Sequence, residues 1–247
     1  MIDPAPYRRA LEPYAHVRVL AAWAAGSRLH GIMDAHSDLD LKILTAPTRD
    51  DILLARTGRI ISLHDPDITL LDPIALHHGV IKGSPNMLEW LDAPDDCLLA
   101  DTGMFALLCR ARPCPAGLPT LRMLDGNIHA NLHQLAEKPL TGRRLWKLQA
   151  ETLRLAWTAD TLARTGIVRA RLDLERRDVL HAIRQGRPAP FDLRHEIERL
   201  EHERPQPCLP DTADASAFTA VTLDLMHGLV EQWTRVMPMG ALYARLG

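Results

Sequence analysis

The sequence predicts an α+β fold in which a small mixed β-sheet over residues 1–115 precedes an all-helical region over residues 116–247. Short segments rich in apolar and β-branched residues dominate the first range, and turn-forming residues separate them, which is typical of strands. After about residue 120, apolar residues recur at intervals of three and four, as they do on the buried face of a helix. We therefore expect two domains that meet near residue 115.

The first range contains four predicted strands, which span residues 17–25, 39–44, 59–63 and 67–71. The turn His64-Asp65-Pro66 joins the last two of them. We also expect a short helix over residues 8–16 and a helix or turn over residues 28–33. Thr48 is the candidate N-cap of a helix over residues 50–56. Asp72 is expected to cap a helix over residues 74–82, with Pro73 in its first turn.

The second range is predicted to consist of helices alone. A long helix is expected to carry Lys147 and Arg154, and further helices are expected over residues 174–183, 193–203 and 215–236. Glycines at positions 142, 166 and 186 lie where helices of this range are expected to begin or end.

The composition indicates a soluble enzyme or binding protein. A net charge of −2 provides no overall basic field for nucleic acid, although Arg143, Arg144, Lys147 and Arg154 form one local basic group. No apolar segment approaches the roughly 18–20 residues of a membrane span, so no membrane partner is expected. The four cysteines have no zinc-type spacing, and without a secretory signal we expect free thiols in a reducing cytoplasm.

A Gly-Ser turn and a pair of aspartates are the main functional signal. Gly26-Ser27 follows an apolar segment, and Asp38 and Asp40 stand about ten residues further on, immediately before another apolar segment. Residues i and i+2 of a strand point to the same side, so both carboxylates are expected to project together. One or two carboxylates combined with phosphate oxygens are the ligands that Mg²⁺ prefers, and a Gly-Ser turn can bind phosphate.

A third carboxylate is expected from the strand over residues 67–71. Asp67 at its start is the preferred candidate, and Asp65 and Asp72 are the alternatives. Asp72 is better explained as a helix cap, and Asp65 as a turn residue. The predicted metal ligands and catalytic residues are therefore Asp38, Asp40 and Asp67.

These motifs resemble those of the DNA polymerase β-like nucleotidyltransferase superfamily. The segment from Lys82 to Pro94 is similar to a block of the predicted nucleotidyltransferases that are associated with RNA repair and RNA ligases. It departs from that block at Ser84, where the family usually carries Asn, and the chain after Gly186 matches nothing in the family. The resemblance implies a palm-like catalytic domain, bound Mg²⁺ or Mn²⁺, and transfer of a nucleoside monophosphate from a nucleoside triphosphate (NTP) to a hydroxyl.

The resemblance also implies a set of nucleotide-binding residues, namely Gly26, Ser27, Arg28, Lys82, Asn86, Glu89, Lys147 and Arg154. Glu89 stands among apolar residues and therefore needs a polar partner wherever it is buried. The acceptor stays open between an RNA 3′ end, a protein side chain and a small molecule. The alternative is a non-catalytic, antitoxin-like regulatory protein that keeps the fold. The sequence does not indicate the oligomeric state.

Overall fold

The computed structural model describes residue 3, residues 5–231 and the backbone of residues 237–238. This part of the chain forms a mixed α/β structure. Its strands are β1 (Arg18–Ala24), β2 (Leu41–Ala46), β3 (Ile60–His64), β4 (Asp67–Leu71), β5 (Leu98–Asp101) and β6 (Met237–Pro238). Its helices are α1 (Ala5–Leu11), α2 (Gly26–Leu29), α3 (Arg49–Leu53), α4 (Pro73–Ile81), α5 (Pro85–Trp90), α6 (Met104–Arg110), α7 (Leu118–Glu137), α8 (Gly142–Thr165), α9 (Leu174–Arg184), α10 (Leu193–His202) and α11 (Ser216–Glu231).

The strands form one mixed sheet in the order β3-β4-β2-β1-β5, and β6 pairs with β1. β2 and β4 are parallel, whereas the other neighbouring strands are antiparallel. Since β2 and β4 run in the same direction, their first residues lie at the same end of the sheet. That end also receives the last residues of β1, because Ala24 of β1 pairs with Leu41 of β2.

The local predictions for the first range are largely confirmed. Thr48 caps α3 through a hydrogen bond from the Asp51 amide, and Asp72 caps α4 through one from the Ala75 amide. The predicted turn connects β3 and β4 in an antiparallel hairpin. The strand predicted from Leu39 begins instead at Leu41, so Asp38 and Asp40 precede the strand.

The predicted helices of the second range are present, but the prediction of helices alone is wrong, because β6 lies in this range and pairs with β1. Gly142 begins α8 and Gly166, with a φ of +72°, ends it, because a left-handed residue stops a helix with little strain when it lacks a Cβ. The helix predicted over residues 215–236 is described as α11, and residues 232–236 lie outside the described residues. None of the described helices combines the length and apolar character that crossing a membrane requires.

The largest apolar cluster contains residues from both predicted domains. Trp23 of β1 stacks on Phe105 of α6 with ring centroids 4.4 Å apart, and both side chains are buried. The same cluster extends through α7 and α8 to Phe218 of α11, which stacks on His77 of α4. A boundary between two domains near residue 115 stays a prediction.

Candidate functional site

A cleft of about 1050 Å³ lies between the acidic end of the sheet and the helices α7, α8 and α9. Six of the predicted catalytic and nucleotide-binding residues line it: Gly26, Ser27, Asp38, Asp40, Asp67 and Lys147. These residues come from three separate parts of the chain. The structure therefore brings the three predicted acidic residues and the Gly-Ser turn to one concave surface.

The antiparallel pairing of β1 and β2 places the Gly-Ser turn beside Asp40. The Ala25 amide donates a hydrogen bond of 2.7 Å to the Asp40 carbonyl oxygen. Gly26 adopts a φ of +56°, and a Cβ at this position would lie 3.1 Å from Asp40 Oδ2. A glycine is therefore required both by the left-handed backbone and by the close approach of the carboxylate.

The parallel pairing of β2 and β4 places Asp67 beside Asp40. Leu41 pairs with Ile68, and both strands run in the same direction. Asp40 and Asp67, which come directly before these two residues in the chain, are therefore at the same end. Neighbouring strands lie about 4.8 Å apart, so these two residues are neighbours at the edge of the cleft. Leu39 is buried between the exposed Asp38 and the half-buried Asp40, which directs both carboxylates away from the core.

Lys42 is a further polar residue of this region that the sequence analysis missed. Its Nζ lies 2.7 Å from Asp40 Oδ1 and donates a hydrogen bond of 3.0 Å to Thr69 Oγ1. The ammonium group also lies 5.5 Å from the centre of the Trp90 ring. Among the described residues, Asp40 Oδ1 has no partner in good hydrogen-bonding geometry, since the approach of Lys42 satisfies the distance alone. This oxygen is therefore buried against the Lys42 ammonium group.

Tyr7 of α1 lies buried behind the acidic residues. Burial raises the pKa of its hydroxyl, a hydrogen bond with the Leu39 backbone opposes this, and the negative charges of Asp38, Asp40 and Asp67 raise the pKa further. All three carboxylates therefore lie near one phenol group. The tyrosine and the Leu39 backbone support the segment that carries the two predicted metal ligands.

The opposite wall of the cleft is cationic. Its positive side chains come from the end of α7, the start of α8 and the end of α9, and they are Lys138, Arg143, Arg144, Lys147 and Arg184. Lys138, Arg144 and Lys147 are exposed and have no ion-pair partner among the described residues. The cleft thus presents carboxylates on the sheet side and free positive charges on the helix side.

Two of these arginines hold the loop between α2 and β2. Arg143 donates a hydrogen bond of 2.6 Å to the His36 carbonyl oxygen and lies 3.5 Å from Asp34, and Arg184 lies 3.9 Å from Asp34. Burial alone raises the pKa of Asp34, but hydrogen bonds from His36 and Ser37 and the charges of the two arginines bring it below its ordinary value. The helices therefore help to position the loop that leads to Asp38.

The remaining predicted nucleotide-binding residues do not line the cleft. Lys82 and Asn86 are exposed elsewhere on the surface, and Arg28 is half-buried with its carbonyl oxygen bonded to Arg171. Glu89 and Arg154 are buried against each other, with 2.5 Å between Arg154 Nη1 and Glu89 Oε1. A role of these five residues in binding nucleotide stays a prediction.

Arg154 is the centre of a buried charged network beneath the cleft. Besides Glu89, it contacts Glu151 through Nε and Nη2 at 2.9 and 2.8 Å. Burial lowers the pKa of the guanidinium, but the charges of Glu151 and Glu89 outweigh this and raise it overall. Glu151 lines the cleft, and burial alone would raise its pKa, but Arg154 lowers it. The partner that Glu89 requires is therefore Arg154, 65 residues away along the chain.

His30 connects this network to the cleft surface. Its Nδ1 lies 2.9 Å from the Ala170 carbonyl oxygen, which fixes the proton on that nitrogen, and its Nε2 lies 4.0 Å from Glu89 Oε2. Burial and then the charge of Arg154 lower the pKa of His30 below its ordinary value. The imidazole is therefore neutral at pH 7.

The sequence contained a signal for only part of the cationic wall. Arg143, Arg144 and Lys147 formed a recognised basic group, but its position opposite the carboxylates depends on how α8 packs. Lys138 and Arg184 are single basic residues near helix ends and resemble ordinary surface charges. Tyr7 and Lys42 carry no local pattern that separates them from core or strand residues.

A site for Mg²⁺ or Mn²⁺ at the acidic end of the cleft stays a prediction. Within the described part of the chain, no three side chains of His, Cys, Asp or Glu lie close enough to hold a metal ion by themselves. Mg²⁺ in nucleotide sites takes one or two protein carboxylates, and water and phosphate oxygens complete its shell. Asp38, Asp40 and Asp67 line the cleft and are the carboxylates that could contribute to such a shell.

The chain matches no family model, no curated protein and no solved structure. The sequence motifs and the geometry of the cleft are therefore the observations that indicate a function.

Proposed function

We propose that this protein is a metal-dependent nucleotidyltransferase that moves a nucleoside monophosphate from an NTP to a hydroxyl acceptor. The observation that carries the proposal is the charge arrangement of the cleft. Three aspartates and a Gly-Ser turn lie on one side of a cleft of about 1050 Å³, and the unpaired basic side chains at the end of α7 and the start of α8 lie on the other. An NTP with a divalent cation on its phosphates has the complementary charges, since the cation would face the carboxylates and the remaining phosphate oxygens would face the basic side chains. The mixed sheet with acidic residues at one end agrees with the palm-like domain that the sequence motifs imply.

Each wall of the cleft has its own task in this proposal. Asp38, Asp40 and Asp67, together with water and phosphate oxygens, would hold Mg²⁺ or Mn²⁺, which would polarise the phosphate and stabilise the leaving group. Lys147 and Arg144 bind the β- and γ-phosphates, and Ser27 donates its hydroxyl to a phosphate oxygen. These contacts orient the α-phosphorus toward the sheet end of the cleft.

The acceptor hydroxyl enters from the exposed side, where the Asp67 carboxylate accepts its proton. The oxygen of the acceptor forms a bond to the α-phosphorus, the bond to the β-phosphate oxygen breaks, and pyrophosphate leaves. An RNA 3′ end is one possible acceptor, and protein and small-molecule hydroxyls are the others. The net charge of −2 favours an acceptor that makes few phosphate contacts with the protein.

One observation favours the alternative, a non-catalytic, antitoxin-like regulatory protein. A metal ion would need the Asp40 carboxylate as a ligand, but Lys42 lies 2.7 Å from this carboxylate and already neutralises its charge. In that case the cleft would bind a nucleotide without turning it over.

A labelling experiment tests the proposal. Each α-³²P-labelled NTP is incubated with the protein, Mg²⁺ or Mn²⁺, and a short RNA with a free 3′-hydroxyl. The Asp40→Asn variant is the negative control. The Asp65→Asn variant is the matched control, because Asp65 is an exposed aspartate of the β3–β4 turn that does not line the cleft.

Label that transfers to RNA or protein in the wild type and in Asp65→Asn, but not in Asp40→Asn, supports the proposal and identifies the nucleotide and the acceptor class. Nucleotide binding without release of labelled pyrophosphate from γ-³²P-NTP under any condition supports the regulatory alternative. Transfer that persists in Asp40→Asn contradicts the assignment of the site.

A further inference from the structure

The edge of the sheet opposite to β5 is exposed and apolar. β3 pairs with β4 on one side, and on its other side the described residues supply no strand. Ile60 and Ile61 are 51% and 39% exposed. Such an edge presents a row of unpaired backbone amides and carbonyls to any strand of matching shape.

Exposed apolar side chains are frequent in the chain segment that leads to this edge. Leu53 and Leu54, at the end of α3, are also exposed, so four large exposed apolar residues of the described chain occur between positions 53 and 61. Proteins commonly protect an edge strand with Lys, Pro or an inward-pointing charge. None of these devices occurs within Ile60–His64. The edge therefore has the properties of an interface rather than those of a solvated edge.

We propose that β3 pairs antiparallel with β3 of a second copy of this chain, which forms a continuous sheet across a two-fold axis. A two-fold axis perpendicular to the sheet keeps each face of the sheet on the same side in both copies. Residues that face each other must therefore point to the same side of the sheet, so their numbers differ by an even number, which leaves few registers. The axis then passes midway between the two copies of one residue of β3.

The chemistry of the flanking residues selects the register centred on Ser62. In that register Ile61 faces Leu63 of the second copy, and Arg59, just before the strand, lies at the same end of the pair as Asp65 of the second copy's turn. Arg59 and Asp65 are both exposed, so they are available for this ion pair. A shift of the axis to Ile61 places Arg59 opposite Leu63, and a shift to Leu63 places Ile61 opposite Asp65. Only the central register pairs apolar with apolar and positive with negative.

The first experiment measures the mass in solution by light scattering across a range of protein concentrations. We expect a dimer with twice the 27.6 kDa mass of the chain. Ile61→Lys should convert it to a monomer, because a charged side chain on the edge opposes pairing. Circular dichroism of the variant controls for folding, and Ile61 is sufficiently exposed for the monomer to tolerate lysine.

The second experiment tests the register by disulfide formation in a background where the exposed Cys114 and Cys208 are replaced by serine. Ser62→Cys places two cysteines opposite each other, with Cα atoms about 4.5–5.5 Å apart, within the range of a disulfide. His64→Cys is the matched control on the same strand face. Its two copies would be about 13 Å apart, which is too far for a disulfide.

We expect the oxidised dimer of Ser62→Cys to form at least about ten times faster than that of His64→Cys. A monomer at all concentrations overturns the proposal. A dimer that Ile61→Lys leaves intact, or equal cross-linking of the two cysteine variants, shows that the copies meet elsewhere and also overturns it. None of these results depends on nucleotide transfer.

Discussion

Replacing Arg154 with methionine should strongly destabilise the protein even in the absence of any nucleotide. The Arg154 side chain is 3% exposed, and that of its partner Glu89 is 4% exposed. The substitution removes three charged hydrogen bonds, one to Glu89 and two to Glu151. Glu89 then remains as a buried carboxylate without its positive partner. Glu151 is less affected because it lies at the cleft surface.

The expected loss is about 3–5 kcal/mol of unfolding free energy, the usual cost of breaking a buried ion pair from one side. For a chain of this size each kcal/mol lowers Tm by about 2–4 °C, so a decrease of about 6–20 °C is expected. Replacing both Glu89 and Arg154 with methionine should recover most of this loss, since a well-packed apolar pair avoids the desolvation penalty.

Urea denaturation and calorimetry of the two single variants and the double variant measure this coupling. Arg194→Met on α10 is the matched control. Arg194 pairs with Glu198, and both side chains are 59% exposed, so its loss should change Tm little. A Tm for Arg154→Met within about 2 °C of the wild type, or a double variant whose loss equals the sum of the single losses, would refute the reasoning.

Three further predictions concern the cleft. Mg²⁺ at ten times its Kd should raise the unfolding free energy by about 1.4 kcal/mol, seen as a Tm increase of about 3–6 °C by calorimetry, and Asp40→Asn should abolish this response. The pKa of His30 is lowered by burial and by Arg154, so the unfolded chain takes up the proton first as the pH falls. The unfolding free energy should therefore decrease below about pH 6.5. Urea titrations between pH 5 and 8 should show a weaker dependence of this free energy on pH in His30→Asn. Lys147→Ala should weaken NTP binding by about ten- to a hundredfold in calorimetric titrations, because a charge-assisted phosphate contact contributes about 1.5–3 kcal/mol.

Matched variants separate these effects from general damage. Asp65→Asn should keep the response to Mg²⁺, and Arg122→Ala, an exposed residue of α7 that does not line the cleft, should keep NTP affinity. If millimolar Mg²⁺ and Mn²⁺ leave the Tm unchanged, this result contradicts the metal site. An unchanged pH dependence in His30→Asn contradicts the buried neutral imidazole.

Features that depend on short stretches of chain were predictable from the sequence. The caps at Thr48 and Asp72, the turn between β3 and β4 and the end of α8 at Gly166 each follow from the chemistry of a few neighbouring residues. The spacing of the Gly-Ser turn and Asp38-x-Asp40 could also be recognised, since both elements lie within fifteen residues. The start of β2 was placed two residues too early, because apolar alternation begins before strand pairing does.

Features that depend on distant parts of the chain required the tertiary structure. Asp67 was one of three candidate carboxylates in the sequence, and the parallel pairing of β2 with β4 places it beside Asp40. Strand order is decided by packing and not by any local pattern, so the sequence could not supply this neighbour. The same is true of the cationic wall, whose members are brought opposite the carboxylates by the packing of α7, α8 and α9.

Glu89 and Arg154 show the limit most clearly. The sequence alone established that a carboxylate among apolar residues needs a partner, because an unpaired buried charge is too costly to keep. It could not name the partner, which stands 65 residues away, and it assigned both residues to nucleotide binding. Only the tertiary contact between Arg154 of α8 and Glu89 of α5 decided that the two charges neutralise each other beneath the cleft. Desolvation and pairing depend on distances that no local sequence pattern encodes.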